Sequence, residues 1–379
     1  MFGAGINRSM STAEGLRPPL ANDLFQQALQ HEMLGADGRR DLEQLFGYIE
    51  RYWKLSVDSL RERSFDIEAC FTFLKQQQIE SADTVHVGYL AQIEDQLVAL
   101  LIRFLGHVEN YCHTAPDLLE LGGRLLEERP AILTFNYDTI IESVIAFASG
   151  PSDLPEPAEG RVPDDKLSYS EHNWNRALAY GVRFDEVELQ QTGTVLEPVP
   201  GERFYGHSGN SLYDPPILKL HGSLNWLTHT SRRVFPEYPE AYETRSNPRN
   251  GLVVLKSGFP WVRPDFSPPD DGFKWILEPV IVTPMLHKDL GSDGLIGRSW
   301  RRARWELSEC RRLVVGGYSF PPSDFAVRKL FLEAFEEGPP DELVVINPDH
   351  SAAETAASLC HFKSNPVVSP NLGQYLEVP

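Results

Sequence analysis

The chain has 379 residues, a formal net charge of -19, 41% hydrophobic and 23% charged residues. That length exceeds one average domain, and the balance of residues is that of an ordinary globular protein, which excludes a wholly disordered chain. Such a negative charge opposes non-specific attraction to nucleic-acid backbones and anionic membranes, and no 18-residue apolar run is present to span a bilayer.

In chain order, Gly3-Ala4-Gly5-Ile6-Asn7 comes first. It is a glycine turn of the kind that lets backbone approach a pyrophosphate closely, ahead of a helix whose first amides favour negative charge. Arg8 stands where a full G-x-G-x-x-G pattern needs its third glycine. Only Met1 and Phe2 precede the turn, so the strand that should feed it is expected either upstream of the given start or as a frayed central strand. Residues 22 to about 128 read as a helical insertion, with apolar spacing in Leu42, Leu45, Phe46 and Ile49 and in Leu97, Leu101, Phe104 and Leu105.

Beyond it the texture changes to short apolar runs of strand length. They lie at Ala131–Phe135, Pro216–Leu220, Pro279–Thr283, Leu313–Val315 and Glu342–Ile346. Apolar runs separated by helical patterns predict an α/β fold, a Rossmann-like parallel sheet with helices on both faces. Residues 1–21 and 129–379 would form this core, interrupted by loop-rich insertions at about 150–215 and 228–275.

Cys70, Cys112, Cys310 and Cys360 form no C-x-x-C pair, so they read as buried thiols of a reducing compartment rather than zinc ligands or disulfides. The N-terminus lacks a signal-peptide layout, and the expected location is the cytoplasm. The basic run Arg298, Arg301, Arg302, Arg304, Arg311 and Arg312 reads as the solvated face and ends of a helix before it reads as a nucleic-acid patch.

Most of the apolar runs end in a polar or glycine-rich step, and these steps are the informative feature: Asn136-Tyr137-Asp138, His221-Gly222-Ser223, Gly316-Gly317-Tyr318-Ser319 and Asn347-Pro348-Asp349. Ligands of open parallel sheets sit outside the carboxyl ends of the strands, so these clusters are expected to converge on one site. Each residue also has a structural reading. Asn136 suits a cap for a helix beginning near Thr139, Asp138 a first-turn carboxylate, and His221 a satisfied core histidine. Ser319 and Asn347 suit ordinary turns, and Trp300, Trp305 and Tyr318 suit packing.

With these motifs in this order, the chain resembles the sirtuin family, and more closely the sirtuin-like NAD hydrolase domains of bacterial anti-phage defence systems. The resembling segments are Gly3-Ala4-Gly5-Ile6 with Gly15-Leu16-Arg17-Pro18, Thr134-Phe135-Asn136-Tyr137-Asp138, Leu220-His221-Gly222, Gly317-Tyr318-Ser319-Phe320 with Asp324, and Ile346-Asn347. The resemblance implies an enzyme that takes NAD as substrate. It places Gly3, Ala4, Gly5, Ile6, Gly317, Tyr318, Ser319 and Asn347 around the dinucleotide. Asn136 would hold the ribose and nicotinamide end, Asp138 would orient the neighbouring loop or the amide, and His221 would be the general base.

Sirtuin deacylases carry paired cysteines after the histidine motif, whereas residues 222 to 312 contain only Cys310. No zinc is therefore expected, and hydrolysis of NAD is favoured over transfer of an acyl group. An NAD or nucleotide sensor that does not cleave, and a protein deacylase, stay open as alternatives. The resemblance further implies a homo-oligomer or a companion such as a HerA-type ATPase or an Argonaute-like protein.

Overall fold

The computed structural model describes residues 1–11, 15–31, 41–111, 115–149, 179–184, 186–192, 195–200, 215–235, 238–246, 253–254, 274–282, 294–321 and 324–377. A 3-10 turn at Ala4–Ser9 leads into α1 (Leu24–Gln30), α2 (Glu43–Trp53), α3 (Val57–Glu62), α4 (Ile67–Glu80), α5 (Thr84–Tyr111) and α6 (Pro116–Glu128). Local chemistry starts several of these helices. Ser56 caps α3 by accepting from Ser59 N–H, Asp66 caps α4 by accepting from Glu68 and Ala69 N–H, and Pro116 sits in the first turn of α6. The apolar stripes anticipated on α2 and α5 are buried throughout.

Five segments then make the core sheet: β1 (Ile132–Thr134), β4 (Ile217–Lys219), β9 (Arg312–Gly316), β10 (Glu342–Ile346) and β11 (Val367–Ser369). β1 pairs with β4, and β10 with both β9 and β11, all in parallel. The gap between β1 and β9 is closed by one residue, because Phe2 bridges in parallel to both Thr134 and Gly316. Phe2 N–H donates to Leu133 O at 2.8 Å, Phe135 N–H donates to Phe2 O at 3.1 Å, and Gly316 N–H donates to Met1 O at 2.8 Å. At the place of the expected feeding strand, Phe2 is 4% exposed and sits at the centre of the sheet.

Alternation along the strands sends side chains into two cores. Ile132 and Ile217 join the helices α1 to α6, together with α7 (Ile140–Ser149) and α11 (Leu372–Leu376). Leu133, Leu218, Leu313, Val315, Leu343 and Val345 face α8 (Leu295–Ser308), α9 (Phe325–Ala334) and α10 (His350–Leu359). The molecule is therefore a mixed α/β protein with a parallel sheet covered on both faces, and the early helices share one continuous core with the sheet.

The stretches expected to be loop-rich hold a second sheet. It comprises β2 (Glu186–Thr192), β3 (Val195–Pro200), β5 (Gly222–Phe235), β6 (Tyr238–Ser246), β7 (Val253–Val254) and β8 (Lys274–Ile281). Its order is β3-β2-β7-β5-β6 with β8 on β5, antiparallel except for β2 with β7. The run at Pro279–Thr283, read as a core strand, ends β8 instead, and Thr283 lies outside the described residues. Prolines 198, 200, 239 and 279 and scattered charges interrupt the period-two signal of these strands, which are held by the β2–β3 and β5–β6 hairpins and by the pairing of β5 with β8. Cys112 and most of 150–214 also lie outside the described residues.

One polar contact crosses the apolar face beneath β4. Lys219 Nζ lies 3.1 Å from Glu142 Oε1 on α7, both side chains fully buried, and also donates to Asp138 O. Tyr180 donates to the same Glu142 oxygen at 3.0 Å, while Glu142 Oε2 has no hydrogen-bond partner among the described residues. Removing one member of such a pair strands the other in a low dielectric. We expect Lys219→Met to lower the unfolding free energy by about 3–5 kcal/mol, and Lys219→Met/Glu142→Leu to regain most of the loss. Denaturant titration checks this, and a double variant no more stable than the single one would sink the account.

Candidate functional site

Gly3 follows Phe2, its N–H donating to Gly316 O at 2.9 Å, and the glycine turn then meets the loop after β9 back to back. A Cβ on Gly3 would lie 2.7 Å from Gly317 O, one on Gly5 2.8 Å from the same atom, and one on Gly317 2.0 Å from Ile6 N. Gly317 also has φ +63, a conformation that glycine adopts without strain. The glycines thus serve loop-to-loop packing. The amides of Gly5 and Ile6, which sequence reading aimed at a phosphate, donate to Gly317 O and Gly3 O.

Asn136 follows β1 and is 6% exposed. Its Nδ2 donates to Gly3 O at 3.3 Å, so its side chain reaches the glycine turn rather than capping a helix. The cap of α7 is made by others. Asp138 Oδ1 accepts from Ile140 N–H at 3.2 Å, and Glu109 at the end of α5 accepts from both the N–H and the hydroxyl of Thr139. The Asp138 carboxylate also accepts from Asn7 Nδ2 at 3.2 and 3.1 Å.

His221 sits where the chain leaves the parallel sheet for the antiparallel one. Gly222 has φ +82 and would put a Cβ 2.0 Å from Val280 O, so only glycine allows β8 to approach this close behind the histidine. Val282 N–H donates to His221 O at 2.8 Å, and Tyr137 donates its hydroxyl to Val282 O at 2.7 Å. The end of β8 therefore ties the Asn136–Asp138 loop to the histidine. The imidazole, 7% exposed as a residue, has ring neighbours Phe135 at 5.1 Å, Tyr137 at 6.1 Å and Trp300 at 6.4 Å. Trp300 is fixed by donating to Leu220 O at 2.7 Å.

The loops after β9 and β10 complete the rim. Tyr318 stacks on Phe135 with centroids 4.4 Å apart, and Ser319 is exposed. Asn347 is engaged in structure, its Nδ2 donating to Tyr318 O and its Oδ1 accepting from Asp349 N–H. The residues anticipated from strand ends thus lie at the carboxyl ends of β1, β4, β9 and β10, with Gly3 between them. Sequence reading missed Asn7, Glu109 and the partnership of Lys219. A lysine inside an apolar strand run was the available signal for the last of these.

Burial raises the Asp138 carboxyl from 3.8 to about 6, Glu142 adding to the shift while Lys219, Ile140 N–H and Asn7 oppose it. The folded protein therefore holds this proton more tightly than the unfolded chain. The stabilisation is complete below about 4 and is lost as the pH rises through about 6. Asp138→Asn keeps the acceptor for Asn7 and Ile140 and removes the titration. We expect its stability to vary less between pH 4 and 6 than that of the wild type, as read by thermal melts, and an identical slope would contradict the assignment.

No family model matches the chain, and no curated protein matches it. Among solved structures the chain is similar to a Sir2 enzyme studied for the structural basis of Sir2 mechanism and regulation. The identity is 12% over 80% of this chain and 81% of that one, with a TM-score of 0.32. It is also similar to two mutants of a Sir2 homologue, each in complex with ADP-ribose. These are 17% and 18% identical over 43% of this chain and 55% of theirs, with TM-scores of 0.20 and 0.21.

Proposed function

We propose that this chain is an NAD hydrolase that cleaves the nicotinamide–ribose bond and releases nicotinamide and ADP-ribose, acting as a regulated effector of anti-phage defence by NAD depletion. The observation that carries the reading is the convergence of Asn136, Asp138 and His221 with the Gly3 and Gly317 loops at the carboxyl ends of a parallel sheet, the place where such sheets bind ligands. The motif order that resembles the sirtuin family supports it.

The residue types suit the chemistry. As the C1′–N bond breaks, its electron pair leaves on nicotinamide, which departs neutral, and positive charge grows on the ribose. An ionised Asp138 and the amide of Asn136 offer polar stabilisation to that charge without a strong acid. Water adds at C1′, and its proton passes to His221, whose imidazole is a suitable base near neutral pH. With the Gly5 and Ile6 amides engaged inside the protein, the Ala4 amide and the exposed Ser319 hydroxyl would meet the pyrophosphate. The chain would be organised as a core of 1–21 and 129–379 with 22–128 as a helical insertion. An enzyme that drains NAD needs control, which the proposal assigns to homo-oligomer formation or a companion such as a HerA-type ATPase or an Argonaute-like protein.

The test is incubation of the protein, alone and with the products of neighbouring genes, with NAD, reading nicotinamide and ADP-ribose by chromatography and mass spectrometry. Asn136→Ala and His221→Ala should each slow release by at least about 100-fold while leaving the fold intact. Undiminished release by both variants would remove the site assignment. Tight binding with no release in any assembly would mark a sensor, and turnover only with an acyl-lysine peptide a deacylase.

A further inference from the structure

His221 is surrounded by the rings of Phe135, Tyr137 and Trp300, walls against which an unaccompanied imidazolium would be costly. A carboxylate enters that space from the loop after β9. Asp324 Oδ2 lies 3.7 Å from His221 Nε2, with the two side chains 7% and 9% exposed. The separation is beyond hydrogen-bond range, so the attraction is electrostatic, and contacts of this kind tighten when a substrate fills the site.

Asp324 is the residue before α9, the position at which an aspartate ordinarily caps a helix, yet its side chain makes no cap hydrogen bond. It forgoes that stabilisation and faces the histidine. Its orientation is enforced: Tyr318 donates its hydroxyl to the same Oδ2 at 2.8 Å, and Asp324 N–H donates to Pro321 O at 3.0 Å. The loop that delivers it also holds Phe320 at φ +52, a backbone conformation uncommon for a bulky residue, with Arg328 donating to Phe320 O at 3.3 Å. Phe320 is buried against Tyr318 and Phe331, which anchors in the core the loop leading to Asp324.

We propose that Asp324 is the positioning carboxylate of His221, orienting the imidazole and stabilising its charged form, with Tyr318 holding the carboxylate in place. Burial and the neighbouring Asp324 charge keep the Tyr318 phenol protonated, so it stays a donor. Among the described residues, Tyr137, Glu68 on α4 and Arg328 on α9 also reach this cluster. Within the hydrolase reading, on which this part of the role rests, the proton accepted by His221 comes from the attacking water while Asp324 remains ionised. The pairing of the two side chains does not depend on that reading.

The test is a pH titration of the imidazole by NMR on full-length, histidine-labelled protein, with the His221 signal assigned by its loss in His221→Ala. Opposite charge nearby raises an imidazole's pKa, so Asp324→Asn should lower the His221 midpoint by about one pH unit, and Asp324→Glu should stay near the wild type. The acid limb of nicotinamide release should move down with the midpoint in Asp324→Asn. A folded Asp324→Asn with an unchanged midpoint overturns the proposal. Should that variant not fold, Asp324→Ser, which can cap α9, takes its place with the same expectation. Absence of nicotinamide release by the wild type would remove the hydrolase reading and leave the titration to decide the pairing.

Discussion

Everything at the site hangs on the backbone of Phe2 and Gly3. Phe2 exchanges hydrogen bonds with Leu133 and Phe135 on one side, and Gly3 N–H reaches Gly316 O on the other. Without those two residues, β1 with β4 and β9 with β10 would be separate ribbons, each exposing an unpaired edge. Backbone groups in an apolar core must be paired, so Phe2 and Gly3 hold the centre of the sheet by satisfying both neighbours at once. The glycine turn continues the join, because Gly3 and Gly5 let the Gly317 loop approach to contact distance.

A second constraint lies beneath the first. Burying Lys219 and Glu142 is costly, and the pair is tolerated because its hydrogen bonds run into useful places. Lys219 holds the carbonyl of Asp138, Glu142 accepts from Tyr180, and Tyr180 and Ser223 both bond Asn225. Polar groups below the sheet thus brace the loop above it. Glu109, from the long helix α5, grips Thr139 at the same loop, so the helical segment is mechanically joined to the residues proposed to meet the substrate.

Much of the core was legible because apolar runs followed by polar steps reflect a local rule, a strand buried on both faces that emerges at its carboxyl end. Asn136, His221 and Gly317 were singled out in this way as residues that follow core strands. The second sheet was not legible, since its strands carry prolines and charges that blur alternation, and β5 is flanked by β7 and β8 from further along the chain. Asp324 was visible as part of a motif but not as a partner for a histidine far away in the chain. The competing cap reading of Asn136 gave way once Asp138 and Glu109 were seen to satisfy the start of α7.

By itself, then, the sequence determined which residues end β1, β4, β9 and β10, since hydrophobic periodicity and the placement of glycine and polar residues are properties of neighbouring positions. Tertiary structure alone decided that the backbone of Phe2 and Gly3 joins the two halves of the sheet and that Asn7 meets Asp138. It also decided that β8 ties Tyr137 to His221 and that Asp324 turns from its helix toward the imidazole. These are relations between segments far apart in the chain, set by which groups must be paired when water is excluded, and no local pattern encodes them.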